Sequence, residues 1–532
     1  MEECAIYMKK LISVLLCVLM LLAMAVPAFA AQDVYPIVYI EGQGCSLFRP
    51  DGSKIYGLEV EVLDVVKDNL KDLLKEYGLG MISGDYSTYN DKLYNTIAPL
   101  YKDVKLDNNG QVTDGSAPNP ARNWRKNINN IANTINTTTG TAPVYRWVFD
   151  WRLSPLTLAD ELAGVIDAVL AKTGKTKVNI ISRCLGCNIA YAYLYNYGTD
   201  KVNSCVFYAP MIDGIGVMNA LFTGNITIEA GALDRFITYF QDENNFIIRD
   251  EDTTDLIMTT LSLFDQIGVL GVGADFAEKI VGNVKDDVIP RIVKDSFATF
   301  PSYWSMISPE YVEDAKAFVF NGCEDDYAGL IDQIDAYAAI VQDTHGFLKS
   351  IEDKVQIGVV TKYGFPCFPL SEDAGLESDV YVTAGLASFG ATVASSGAKL
   401  DSKYIKAQTA AGKGNYISAD GKIDASTALF PDTTWFIKDL EHKAFPDCVN
   451  DLMLAFVNTP CMTVKTDAKF TQFLQFTPTN DESSDSARGT LTPILTADDT
   501  EDSTKQYPVS PLDAFFKFLA KIIRFFTKLF KK

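Results

Sequence analysis

The chain has 532 residues, 48% of them hydrophobic and 22% charged, with a formal net charge of −21. This length and composition belong to a globular protein with a large core and exclude a fibrous or disordered chain. The acidic balance argues against a nucleic-acid partner, since the sequence offers no basic cleft to neutralise phosphates.

The first thirty residues read as a secretory signal peptide. Lys9 and Lys10 precede an apolar run from Leu11 to Ala25, and Ala28-Phe29-Ala30 is a small-x-small cleavage site. Cys17 has no lipobox around it, so no lipid anchor is expected. Eight cysteines remain after cleavage, at scattered spacings from which pairing cannot be read, although export permits disulfides. The expected destination is outside the cell, at the cell surface or the membrane exterior.

Pro36–Ile40 is a short β-rich run broken by Glu41-Gly42-Gln43-Gly44. Glu59–Tyr77 has helical periodicity, with Leu63, Val66, Leu70, Leu73, Leu74 and Tyr77 on one face. Ser83–Trp124 is polar and turn-rich and reads as a surface excursion. Val144–Trp151 is a strand. A helix follows to Lys172, with Thr157 and Asp160 as a variant capping box and Gly174 as its stop. Val178–Ser182 is a strand, Leu185–Tyr195 a helix and Ser204–Ala209 a strand. Alternating strands and helices imply parallel βαβ units, and the unbroken apolar runs suit strands covered on both faces.

From 211 to 353 the pattern is helical, as in Ala232–Phe240, Thr254–Ile267 and Tyr327–Val341, and is read as an inserted helical lid. Strands return at Val355–Thr361 and Thr434–Lys438, and Val449–Val457 is a closing helix. The expected organisation is a signal peptide (1–30), an α/β core in two parts (31–210 and 354–480), the lid between them (211–353), a flexible acidic linker (481–510) and a terminal helix (511–532). In that last segment Lys517, Lys521, Arg524, Lys528 and Lys531 recur at helical spacing opposite Phe515, Phe518, Ile522, Phe526 and Leu529. Six basic residues against one acidic give it +5, leaving −26 on the remainder. Such a helix lies in a membrane interface, so a membrane surface is an expected partner, with docking onto the acidic body of the same chain as the alternative.

Chemistry concentrates at Ser182-Arg183-Cys184-Leu185-Gly186, between a buried strand and a helix start. The box resembles the G-x-S-x-G nucleophile elbow of α/β-hydrolases, with Cys184 at the nucleophile position and Ser182 in place of the first glycine. That fold orders its residues as nucleophile, acid and histidine. The chain has two histidines. His442 follows the strand Thr434–Lys438, whereas His345 falls in the lid region. Asp373, Glu377 and Asp379 are candidates for the acid, and the run Ser378–Ser388 resembles the acid loop of lipase-like enzymes and favours Asp379. The backbone N–H groups of Leu185 and Gln43 are the expected oxyanion donors, because Ile40–Ser46 resembles the H-G-x-G-G-S loop of lipases with Glu41 replacing its histidine. Arg183 is given no role. No cofactor and no metal-ligand set is read from the chain.

A closer resemblance is to the lecithin:cholesterol acyltransferase family. It is carried by Phe149-Asp-Trp-Arg-Leu-Ser-Pro155, by Leu185-Gly186-Cys187 after the elbow, and more weakly by Pro301-Ser-Tyr-Trp304. The resemblance covers roughly Val38 to Val457 and implies an α/β-hydrolase fold with acyl hydrolysis or transfer on an ester or lipid. Cys184, Asp379 and His442 match its three triad positions, with cysteine replacing serine. A cysteine beside a histidine at a helix N-terminus makes a thioester-forming nucleophile. Two other readings stay open: a catalytically inactive homologue serving as a surface binding protein, and a redox pair of Cys184 with Cys187, which are neighbours on one helical turn.

Overall fold

The computed structural model describes residues 34–43, 46–55, 83–118, 143–227, 284–368, 370–478 and 489–495, together with residue 282 and some positions between 69 and 80. The proposed signal peptide, the terminal helix, the lid segments Ala232–Phe240 and Thr254–Ile267, and most of the Glu59–Tyr77 helix lie outside these.

The strands are β1 (Ile37–Ile40), β2 (Val144–Trp147), β3 (Val178–Arg183), β4 (Val202–Tyr208), β5 (Gln356–Tyr363), β6 (Thr434–Lys438), β7 (Phe473–Pro478) and β8 (Gly489–Pro493). They form one eight-stranded sheet in the order β8-β7-β6-β5-β4-β3-β1-β2. All neighbours are parallel except β7 and β8. Helices flank this sheet, and the result is an α/β-hydrolase-like fold.

The apolar runs explain the sheet. Every residue of β1 is buried, as is every residue of β6, because helices cover both faces. Helix α1 (Pro155–Thr173) buries Leu158, Leu162, Ile166 and Val169 on one face. Each such side chain stabilises the fold by about 1.5–3 kcal/mol. Its start differs from the expected capping box: the hydroxyl of Ser154 accepts from Leu156 N at 3.3 Å, and Pro155 takes the first helical position, where a missing N–H costs nothing. Gly174 ends it in the left-handed region, at φ 68°. Helix α2 (Leu185–Tyr197) is buried from Leu185 through Leu194, and helix α3 (Asp447–Asn458) covers the opposite face.

Three further expectations change. The strand expected over Val144–Trp151 stops at Trp147. Beyond it Arg152 is 1% exposed and grips Asp150 through Nε at 2.9 Å and Nη2 at 2.6 Å, while Nη1 donates to Val104 O and Nη2 to Ser116 Oγ. A buried guanidinium needs those acceptors, and satisfying them bends the chain out of the ladder. The supposed surface excursion carries a helix over Ser87–Ile97 and buries Val104 and Leu106. Within the expected linker, Gly489–Pro493 pairs antiparallel with Phe473–Pro478 and closes the sheet edge. Leu491 is buried there while its neighbours face out, a two-residue alternation too short to read in sequence.

The described residues of 211–353 are helical, at Gly216–Thr223, Val288–Ser296, Pro301–Trp304, Val312–Phe320, Ala328–Val341 and Thr344–Ile351. Their own apolar cluster contains Met211, Met218, Phe222, Trp304 and Phe320. Asn188 on α2 ties this layer down by donating to Ser305 O at 2.7 Å. Among the described residues no helix is long and apolar enough to cross a membrane.

Candidate active site

Parallel strands deliver their C-terminal ends to one edge of the sheet, and the loops there form the candidate site. β1 leads into Glu41–Gln43, β3 into Cys184, β5 into the loop holding Asp379, and β6 into the loop holding His442.

Cys184 has φ 52°, a left-handed conformation forced on a non-glycine residue. A strained strand-to-helix turn of this kind projects the side chain at its tip. The neighbouring glycine is required by space. A Cβ on Gly186 would lie 2.4 Å from Glu41 O and 2.8 Å from Ile40 O, so α2 packs on β1 only with glycine there. The other glycine position is different: Ser182 is fully buried, and its hydroxyl donates to Val206 O on β4 at 2.9 Å. The serine is tolerated because its one polar atom is satisfied by the adjacent strand.

Cys184 is partly accessible and packs where the sheet core meets the helical cluster of 211–353, with its sulfur 3.5 Å from Met211 Sδ. Burial pushes its thiol up, but His442, Arg183 and the N–H of Leu185 outweigh burial and hold it below the ordinary thiol range. Cys187 is a contrast three residues on. It is fully buried beneath the turn, with Ser182 Oγ 3.5 Å from its sulfur, and burial pushes its thiol well above the ordinary value. Both cysteines are free, as is every other cysteine among the described residues. Cys45 lies outside them. A core thiol that resists ionisation is a poor resolving partner, which argues against the redox pair.

His442 is buried, and its Nδ1 lies 2.7 Å from Asp379 Oδ2. Its backbone N–H also donates to Asp379 O at 2.9 Å. The other carboxylate oxygen accepts from Val382 N at 2.9 Å and Tyr381 N at 3.2 Å. Burial pushes Asp379 up, but His442, Lys362 and the Val382 N–H together hold it below the usual carboxylate range. With Nδ1 committed to the carboxylate, Nε2 is left to face Cys184. Nε2 is buried and has no hydrogen-bond partner, while the Cys184 and His442 side chains each favour the other's charged form. Loose contacts of this kind are usual in unliganded sites. Burial lowers the affinity of the ring for a proton, but Asp379 and Cys184 outweigh it and raise His442 to about 9.

The other acid candidates are engaged elsewhere. Glu377 is fully buried in an ion pair with Lys422 at 2.7 Å, and it accepts from Gly364 N and Gly397 N. Asp373 accepts from Ser371 Oγ at 2.5 Å. His345 pairs with Asp213 at 2.8 Å on the lid side.

The loop after β1 closes on Cys184: a Cβ on Gly42 would lie 2.9 Å from Cys184 Cβ and 3.5 Å from its sulfur. Gln43 is the next residue, and its side chain donates to Tyr303 OH at 2.6 Å. Glu41 forms an ion pair with Arg146 on β2, which fixes the same loop. Where the lipase loop motif has histidine, this chain has a salt-bridged glutamate. The N–H of Leu185, in the first turn of α2, helps hold the Cys184 thiol down.

Three neighbours were not read as site residues in the sequence. Arg183 donates to Lys443 O at 2.6 Å and lies over the Phe445 ring. Tyr303 receives Gln43 as described. Lys362, on β5, is fully buried and donates to Glu441 O and His442 O, both at 2.7 Å. Arg183 and Tyr303 stand inside the elbow and Pro301–Trp304 motifs, and Lys362 is the one charge in the run Gln356–Tyr363. Among the described residues no group of carboxylates, histidines and cysteines could hold a metal ion.

No protein-family model matches the chain, and no curated protein matches it. Among solved structures it is similar to the crystal structure of the Tle4–Tli4 complex, at 12% identity over 62% of this chain and 75% of that one, with a TM-score of 0.25. At that level of agreement the fold assignment rests on the strand order and the turn at Cys184, not on the likeness.

Proposed function

We propose that the chain is an acyl hydrolase or acyltransferase that acts on an ester or lipid through Cys184, His442 and Asp379, with a thioester intermediate. The observation that carries this reading is the strained Cys184 turn, with its lowered thiol facing a histidine whose far nitrogen is bonded to a buried carboxylate. The apolar lid cluster against Cys184 supports an acyl chain as the group held there.

In the first step the Cys184 thiolate attacks the ester carbonyl carbon. A C–S bond forms, and the C=O π pair moves to oxygen, where the backbone N–H groups of Leu185 and Gln43 receive it. The oxyanion collapses, the C–O bond breaks, and the departing alkoxide takes the proton from His442 Nε2. Water or an alcohol then gives its proton to Nε2 and attacks the thioester carbon, and the thiolate leaves. Asp379 remains a carboxylate throughout and holds the ring in the tautomer that points Nε2 at sulfur.

The test is acylation. Incubation with p-nitrophenyl esters and thioesters of several acyl lengths, under reducing conditions, should add one acyl mass to the protein. Peptide mapping should place it on Cys184, and Cys184→Ala should abolish it. A chain that stays unmodified at every length would be a binding protein retaining the pocket.

Export and attachment to a membrane surface belong to the same proposal and rest on the sequences of 1–30 and 511–532. Co-sedimentation of the mature chain with anionic vesicles should weaken when Lys517, Lys521 and Lys528 become Glu.

A further inference from the structure

Lys362 has the least expected environment for a cation in this fold. It lies on β5, a strand buried along nearly its whole length, and its side chain is closed off from solvent. Burying an ammonium costs several kcal/mol unless it is paired and hydrogen-bonded. Its two observed acceptors are the main-chain carbonyls of Glu441 and His442, and its Nζ also lies 4.5 Å from the centre of the Tyr208 ring. No carboxylate touches it at salt-bridge distance among the described pairs. The charged groups around it come from every element of the site: Asp379 from the acid loop, Arg183 and Cys184 from the elbow, and Glu441 from the histidine loop.

We infer that Lys362 is a positioning residue for the Cys184–His442–Asp379 set: it clamps the backbone of the histidine loop and supplies the buried positive charge opposite Asp379. The inference rests on the triad reading above. β5 already carries the acid loop at its C-terminal end, and β6 carries the histidine loop. The Lys362 ammonium links the two at the point where His442 must meet Asp379. A purely structural filler of this space would be apolar, because a well-packed hydrophobic residue fills it without the desolvation cost.

Burial pushes Lys362 down to about 7, against the pull of Asp379, which is the strongest opposing influence. Removing Lys362 acts on Cys184 in one direction by two routes. Release of the loop lets His442 move off the sulfur, which takes away the largest stabiliser of the thiolate. Loss of the cation takes away a further one. Both raise the thiol.

The experiment measures the pH profile of Cys184 alkylation by iodoacetamide, followed at that peptide by mass spectrometry. It needs no substrate. In the wild-type chain the thiolate step should lie below that of a free cysteine, about 8.5. If it does not, the proposed function falls and the inference falls with it. Given a low wild-type step, Lys362→Met should raise it by about one pH unit or more. Lys362→Gln keeps amide donors without charge and should give a smaller rise. A turnover assay should show kcat lowered in both with KM nearly unchanged. Folded variants whose profiles superimpose on wild type would overturn the inference while leaving the triad intact. Should neither variant fold, Asp379→Asn decides: the Lys362 signal in ε-13C-lysine NMR should titrate at lower pH than in wild type, and an unmoved titration overturns the inference.

Discussion

The two histidines of this chain each bind a carboxylate, at nearly the same distance, and only one of them has the surroundings of a catalyst. His442 Nδ1 is 2.7 Å from Asp379, and His345 Nε2 is 2.8 Å from Asp213. The first pair is 8% and 1% exposed, the second 47% and 19%. At His442 the second ring nitrogen is buried, Cys184 acts on the charge of the ring, and the carboxylate takes two further backbone N–H bonds. At His345 water screens the pair, and the ring packs edge-on against Phe389. A hydrogen-bond length alone therefore does not distinguish a catalytic histidine from a surface latch. Burial, and what the second ring nitrogen meets, do.

The contrast breaks most sharply at the sulfur. Cys184→Ala should remove acyl transfer altogether, a loss of at least about 10³-fold in kcat/KM on an activated ester, with folding unchanged by circular dichroism. His442→Ala should come close to that loss and should add little when combined with Cys184→Ala, because the two act as a unit. The same substitution at His345 should leave the turnover intact. An equal loss at both positions would erase the distinction drawn here.

Asp379→Asn should cost about 10²–10⁴-fold in kcat by permitting the wrong ring tautomer. The pH profile sharpens the same point. His442 is raised to about 9, so the proton needed by the leaving group is present below that value and is lost above it. Activity should therefore fall on the alkaline side near pH 9, and its rise on the acid side should follow the lowered Cys184 thiol.

Gly186→Ala should destabilise by about 1–3 kcal/mol, since the added methyl meets two carbonyl oxygens of β1. Thermal melting would measure it. The smallest effect belongs to the latch. The side-chain bond to Asp213 raises His345 above its ordinary 6.5, so its folded value exceeds its unfolded one. Its contribution is then fully present below the unfolded value and disappears as pH rises through the folded one. Because the ring is nearly half exposed, His345→Ala should cost under about 1 kcal/mol at pH 5 and less at pH 8. A pH-independent change would show that the ring acts by packing rather than by charge.

Much of the frame was legible because its signals are local. Val178–Ser182, Leu185–Tyr195 and Thr434–Lys438 were read to within two residues, since unbroken apolar runs and helix stops are properties of short windows. Cys184 is singled out by its turn, His442 by chain order beyond a strand end, and Asp379 by the resemblance of the run Ser378–Ser388 to an acid loop. The edge strand β8 was missed inside an acidic segment because its stability comes from pairing with Phe473–Pro478, which no five-residue window contains. Arg152 is legible only as part of a resemblance, and its acceptors stand 2, 36 and 48 residues away.

The sequence alone determined that an elbow with cysteine at its tip would stand on a buried parallel sheet, since strand, turn and helix are encoded side by side. Which carboxylate meets the histidine was a tertiary decision. Asp373, Glu377 and Asp379 carry the same carboxyl chemistry, a resemblance alone favours Asp379, and it is the folded loop that gives Glu377 to Lys422 and Asp379 to His442. The lysine under the histidine loop is tertiary in the same sense. Its partners are main-chain carbonyls about eighty residues away, and backbone carbonyls, being the same at every residue, leave no mark on a sequence.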